Sequence, residues 1–145
     1  PEGGAAFGTL EWVAYASNAF NTMVPFYADV DETPEYLANT TGEVSTENFY
    51  WTSRMIAAMA DASYGKSLFH VEHYQENVLA KSHALINQYD ALLVDEKDPE
   101  KQMELKRKAN RKVAEMVQKE ASATLKKVLY ELSNQMKNSY ARSDV

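Results

Sequence analysis

Four groups of residues in this chain have side chains suited to chemistry. His70 and His73 stand three positions apart, a spacing that brings two imidazoles together on one helix face and lets them share a metal ion. Zinc needs further ligands, and neither Glu72 nor Glu76 falls at the His-Glu-x-x-His spacing of metallopeptidases. The pair therefore reads as ordinary helix-face histidines, no metal is expected, and His83 reads as a lone polar-face residue. Ser17, Ser63 and Ser67 lack a Gly-x-Ser-x-Gly elbow, which leaves no serine nucleophile. The basic run from Lys106 to Lys112 stands among Glu100, Glu104 and Glu115 and has no interleaved aromatic residue for base stacking. It reads as a solvated helix face, not a nucleic-acid surface. The remaining group is Ser17-Asn-Ala-Phe-Asn-Thr22, whose amides and hydroxyls, on a loop between strands, can bind polar groups of a peptide or a developing oxyanion. Ordinary turn chemistry, with Asn18 and Asn21 bonding local backbone, accounts for the same residues.

The elements that must position these groups follow from periodicity. Leu10, Trp12, Ala14 and Ala16 alternate with Glu11, Val13, Tyr15 and Ser17, the period of two that predicts a strand over 10–17. Met23 to Ala28 predicts a second strand that Pro25 confines to an edge, an end or a bulge. Together they make a hairpin that needs a larger sheet or a helix to cover its apolar face. Asp29 to Val44 predicts a connecting loop with one short turn at most. Ser45 or Thr46 offers an N-cap for a helix over 46–64 with Phe49, Ile56 and Met59 on one face and Gly65 as its stop. Ser67 offers a cap for the next helix, whose Leu68, Val71, Tyr74, Val78, Ser82, Leu85, Tyr89 and Leu92 recur at threes and fours. Asp98 and Pro99 open a third helix that turns Leu105, Ala109, Val113, Met116, Val117, Leu125, Val128, Leu132 and Met136 inward and Lys106, Arg107, Lys108, Arg111 and Lys112 to water. The fold class is mainly α: a long antiparallel helical hairpin and a third helix, with a short N-terminal β-hairpin. About a dozen inward apolar side chains at ~1.5–3 kcal/mol each do not offset the ordering of the helical hairpin alone. Further burial by the 46–64 helix, by another copy of the chain or by a missing domain is expected.

Composition bounds the function. With 145 residues and 45% apolar content the chain suits one compact domain. Residues 1–65 hold nine acids against a single cation, Arg54, whereas residues 66–145 hold twelve acids and fourteen Lys or Arg. Thirteen of the sixteen aromatic residues lie at or before Tyr74, so the front half is site-like and the back half scaffold-like. There is no cysteine, which excludes disulfides and thiolate ligands and suits a cytoplasmic protein. No apolar run approaches the ~18 residues of a membrane span, and PEGGAAFG lacks the regions of a signal peptide.

Gly8-Thr9-Leu10-Glu11-Trp12-Val13, Ser17-Asn18, Val24-Pro25-Phe26-Tyr27 and Asn48-Phe49-Tyr50-Trp51 with Arg54 three residues on resemble the late-sequence signature of the dipeptidase A family, bacterial peptidases of the N-terminal-nucleophile fold. The resemblance runs over nearly the whole chain, with its sharp motifs in the first sixty residues. It implies an enzyme that cleaves the amide bond of a dipeptide with an N-terminal cysteine thiolate, its free α-amino group acting as base. Residue 1 here is Pro1, so the resemblance implies the C-terminal portion of a longer protein that lacks its catalytic front and is inert alone, as the non-methionine start also suggests. It implies no cofactor, no catalytic residue in this chain, and Asn18 and Asn21 near the substrate. Residues 1–45 would belong to a layered αββα sandwich and residues 46–145 to a helical region. In isolation, residues 1–30 are expected to be loosely held, swapped into a neighbour or paired edge to edge. A helical-hairpin module that binds a partner or a second copy, without catalysis, is the alternative that needs no resemblance.

Overall fold

The computed structural model describes residues 10–14, 22–38 and 44–143. Strand β1 (Leu10–Val13) pairs antiparallel with β2 (Val24–Tyr27), Leu10 opposite Tyr27 and Trp12 opposite Pro25. Both strands of this sheet are edges, so Pro25 can lie within β2 with its missing N–H on the unpaired side. Of the predicted strand 10–17, Leu10–Val13 is strand and Ala14 is not, and residues 15–17 lie outside the described residues. A 3-10 turn, Glu35–Leu37, punctuates the following loop and buries Tyr36 and Leu37.

Helix α1 (Phe49–Ala62) starts later than expected. Neither Ser45 nor Thr46 caps it: Asn48 sits in extended conformation and its side chain accepts from Trp51 N at 3.2 Å. The amide of Asn48 also donates to Ala38 O at 2.9 Å, a second bond that its longer side chain, with donor and acceptor on separate atoms, can make. Ser45 Oγ is used locally, accepting from Glu47 N at 3.0 Å. Helix α2 (Tyr64–Asp95) follows after Ser63 alone. Gly65 is not the stop; it lies in the first turn of α2, where an added Cβ would meet nothing within 4 Å. Nor does Ser67 cap. It is buried, 2.6 Å from Ser63 Oγ, which in turn donates to Met59 O at 2.9 Å. Two hydroxyls thus satisfy each other and a last-turn carbonyl of α1 at the corner.

The turn into α3 (Pro99–Ser143) is the one the sequence predicts, with Asp98 Oδ1 accepting from Glu100 N at 3.1 Å and Pro99 in the first helical position. α2 and α3 pack along each other, and α1 closes over them. Phe49, Ile56 and Ala60 meet Val71, Tyr74 and Val78 of α2 and Val113, Val117, Ala121 and Val128 of α3, with Val24 and Leu37 at the edge of the cluster. A second cluster joins Tyr27 of β2 to Ile86, Tyr89 and Leu93 of α2 and Ala109 of α3. α1 therefore covers one part of the helical hairpin and the β-hairpin covers the part nearest its turn. Leu93 is fully buried and the predicted Leu92 is 46% exposed, because a straight helix drifts out of a strict seven-residue repeat. Met136, predicted inward, is 53% exposed. The fold is mainly helical with a short two-stranded antiparallel sheet, and no described helix is long and apolar enough to cross a membrane.

Candidate functional site

The front segment is not loosely held where it is described. Asn110, 2% exposed on α3, receives the Tyr27 N–H at 2.8 Å on Oδ1 and donates through Nδ2 to the Tyr27 carbonyl at 3.0 Å. A carboxamide offers a backbone the same donor and acceptor as another peptide group, so Asn110 completes the outer edge of β2 as a one-residue strand partner would. The Tyr27 hydroxyl donates to Asp90 Oδ1 of α2 at 2.5 Å. Burial first, and the Asp90 carboxylate second, push this phenol far above its ordinary range, so it stays a donor at all physiological pH.

Beyond Tyr27 the acidic segment meets the basic run of α3. Lys106, predicted to face water, is 8% exposed, and its Nζ donates to Asp29 Oδ2 at 2.6 Å. Arg107 grips Asp31 with Nε at 2.8 Å and Nη2 at 2.9 Å, Arg111 reaches Glu32 at 2.8 Å, and Glu104 accepts from both arginines. The run is thus largely a receptor for the chain's own acidic loop. The Arg107 guanidinium holds Asp31 below the usual carboxylate range, and Arg111 followed by Arg107 does the same for Glu104. A carboxylate depressed by folding lends stability above its unfolded pKa, near 4, and loses it as pH falls through the lower folded value. These groups are exposed, so the effect is modest and screened by salt. Arg107→Ala is therefore expected to shrink the difference in urea midpoint between pH 6 and pH 3, and 1 M salt to shrink it in the unmodified chain. An unchanged difference in the variant would show that the clasp lends the fold nothing.

Two concavities adjoin the hairpin. A cavity of ≈ 230 Å³ lies between β2, the 30–37 segment and α3, with Val13, Phe26, Val30, Pro34, Leu37 and Asn110 among its walls. A wider, open and mainly apolar one of ≈ 520 Å³ is lined by Trp12, Thr22, Met23, Gln75, Leu79 and His83. His83 is not solitary there: its ring lies 5.4 Å from that of Trp12. Asn18 and Asn21 fall outside the described residues, in the connection whose returning end, Thr22, lines this second concavity.

The other candidates separate. His70 approaches Glu131 of α3 at 3.5 Å, whereas His73 lies 3.2 Å from Asn77 Nδ2 and stacks on Phe69. Among the described residues no group of three or more His, Asp or Glu is placed to hold a metal. Ser63 and Ser67 are buried in the α1–α2 corner, and Ser17 is outside the described residues. On α1 the guanidinium of Arg54 lies over two rings, 5.5 Å from the centre of Tyr50 and 5.3 Å from that of Trp51. Asn110 was not a sequence candidate. Its only signal is its place in the stripe Lys106, Asn110, Val113, Val117, Ala121, where a polar residue at helical spacing falls on the buried face.

The described site is an aromatic β-hairpin fixed on a helical scaffold, followed by a helix bearing an aromatic-held arginine, and sequence comparison gives the family. The family model described as peptidase family C69 matches residues 1–77, more than half of the chain, and the chain belongs to that family. It is 41% identical over 135 residues to a probable dipeptidase A of Streptococcus pyogenes serotype M18 (strain MGAS8232), a match that covers 93% of this chain and 28% of that protein. It is 34% identical over 173 residues to a dipeptidase of Bifidobacterium longum (strain NCC 2705), covering 93% of this chain and 32% of the relative. A probable dipeptidase B of Lactococcus lactis subsp. lactis (strain IL1403) is 32% identical over 81 residues, 56% of this chain and 17% of that protein. The chain thus spans between 28% and 32% of the length of the first two relatives.

Proposed function

We propose that this chain is the substrate-wall and helical part of a dipeptidase whose cysteine nucleophile lies outside it. The observation that carries the reading is that the peptidase match falls on the hairpin, α1 and the first turns of α2, while the chain holds no cysteine to attack an amide. In this reading a thiolate at the start of the mature enzyme, with its own α-amine as base, adds to the carbonyl of a dipeptide. The hairpin belongs to the enzyme's layered sheet, and its connection presents Asn18 and Asn21 to the substrate's polar groups. The anchoring of Tyr27 by Asn110 and Asp90 supports this role, because a wall that positions substrate must itself be rigid.

The test uses the full-length enzyme that contains this chain. Asn18→Ala and Asn21→Ala are expected to lower dipeptide turnover, on the order of 10²-fold for one that donates to the developing oxyanion, with little change in thermal midpoint. Equal turnover would remove both from the site. A reading frame upstream of Pro1 without a cysteine at a plausible mature start would remove the nucleophile scheme itself.

A further inference from the structure

Arg54 is the sole Lys or Arg among residues 1–65, set among nine acids, yet among the described residues no carboxylate pairs with it. Arg107 and Arg111, by contrast, are each shared between two acids. The nearest acids on either side of it in sequence, Glu47 and Asp61, are not paired with it. Glu47 accepts from Gln118 Nε2 at 2.7 Å, and Asp61, the one acid within α1, is two helical turns away.

The side chain is nevertheless held in place. Nη1 donates to Tyr50 Oη at 2.8 Å, and the guanidinium carbon lies 5.5 Å and 5.3 Å from the centres of the Tyr50 and Trp51 rings. Such contacts restrict an otherwise floppy cation and leave its remaining N–H groups for a planar, two-oxygen acceptor. Trp51 Nε1, on one of the same rings, is buried and takes no part in this arrangement. A fixed, exposed cation without an anion is an arrangement that a carboxylate completes.

The geometry points to Arg54 as a carboxylate receptor that takes the free α-carboxylate of a short peptide. This deepens the dipeptidase reading and rests on it for the identity of the ligand. A dipeptide carries an ammonium at one end and a carboxylate at the other. The net charge of -8 in the front half, nine acids less one cation, suits the ammonium, and Arg54 is the one fixed positive charge there to receive the carboxylate. Arg54 would then set the preference for a chain that ends at this residue over a longer or amidated one. It would act as a specificity determinant and not as a group that moves protons.

The test is isothermal titration of the full-length enzyme with a dipeptide made resistant to cleavage by methylation of its amide nitrogen, and with the C-terminal amide of the same compound. The unmodified enzyme is expected to bind the free acid about 10- to 100-fold more tightly than the amide, the range of a charge-assisted pair. Arg54→Gln is expected to abolish that difference, and Arg54→Lys to restore part of it. Because Arg54 is exposed, the thermal midpoint of Arg54→Gln should stay close to that of the parent, which separates lost recognition from lost folding. Equal binding of acid and amide by the unmodified enzyme, no binding of the acid, or a difference that survives in Arg54→Gln overturns the proposal. An enzyme that keeps the Arg54-dependent difference but leaves the ordinary dipeptide uncut would sink the dipeptidase reading and leave the carboxylate receptor standing.

Discussion

Replacement of Asn110 by Leu, which is branched alike but larger, is expected to lower the unfolding free energy of the chain by about 2–4 kcal/mol. The amide makes two buried bonds, to the N–H and to the C=O of Tyr27, and leucine makes neither. Each backbone group then stays unpaired, at ~1–3 kcal/mol, or β2 lifts off α3 to reach water. Urea unfolding measures the loss, and amide hydrogen exchange at Tyr27 distinguishes the two outcomes, since only a lifted strand exchanges rapidly. Asn110→Asp should be no better. It retains the acceptor for the Tyr27 N–H but loses the donor to the carbonyl, and it brings a second carboxylate towards Tyr27, whose hydroxyl is bonded to Asp90. A midpoint for Asn110→Leu within error of the parent's would mean that β2 is held by its apolar contacts alone.

The second large effect is expected at Phe49. It is fully buried at the start of α1, in the cluster shared with Ile56, Val113 and Val117, and its ring lies 5.9 Å from that of Tyr36 in the 3-10 turn. Phe49→Ala removes the aromatic volume where three elements meet, and such truncations lower stability by ~3–5 kcal/mol when the surroundings cannot collapse. Phe49→Leu retains most of the volume and should lose much less. Both are read from urea midpoints. An alanine variant no worse than the leucine variant would show that the 3-10 turn moves in to fill the space.

The comparison of sequence with structure turns on particular residues. The helix-to-helix turn at Asp98-Pro99 was legible because a cap and a proline at the first position state their geometry locally. So was the existence of the hairpin, since period-two alternation over Leu10 to Val13 is a local signal. The start of α1 was misplaced because Ser45, Thr46 and Asn48 are all competent caps, and the choice falls to the one whose amide also reaches Ala38, a partner ten residues back. Gly65 and Ser67 misled for a related reason. Their usual roles at helix ends assume a solvated terminus, whereas here the Ser63 and Ser67 hydroxyls pair inside a corner packed against the core. Lys106 and Asn110 were unreadable as buried residues, because what buries them is the loop and strand some eighty positions earlier in the chain. Charge gave the available hint. An acidic loop carrying Asp29, Asp31 and Glu32 and a basic run of matching length are complementary even when each alone resembles solvated surface. For the site itself, Asn18 and Asn21 fall outside the described residues, and Arg54 entered the sequence reading as the one cation of the front half and as part of a family motif. Its two-ring perch on Tyr50 and Trp51 follows from helical spacing at three and four and could have been inferred.

The bond between Tyr27 and Asn110 spans 83 positions of sequence. At a synthesis rate of ~5–20 residues per second the strand leaves the peptidyl-transfer centre roughly 4–17 s before its buried partner is even made. Throughout that interval the backbone edge that Asn110 will later occupy has no native companion, and the aromatic hairpin beside it is unshielded. The order of synthesis thus leaves this strand edge to wait for a helix made long after it.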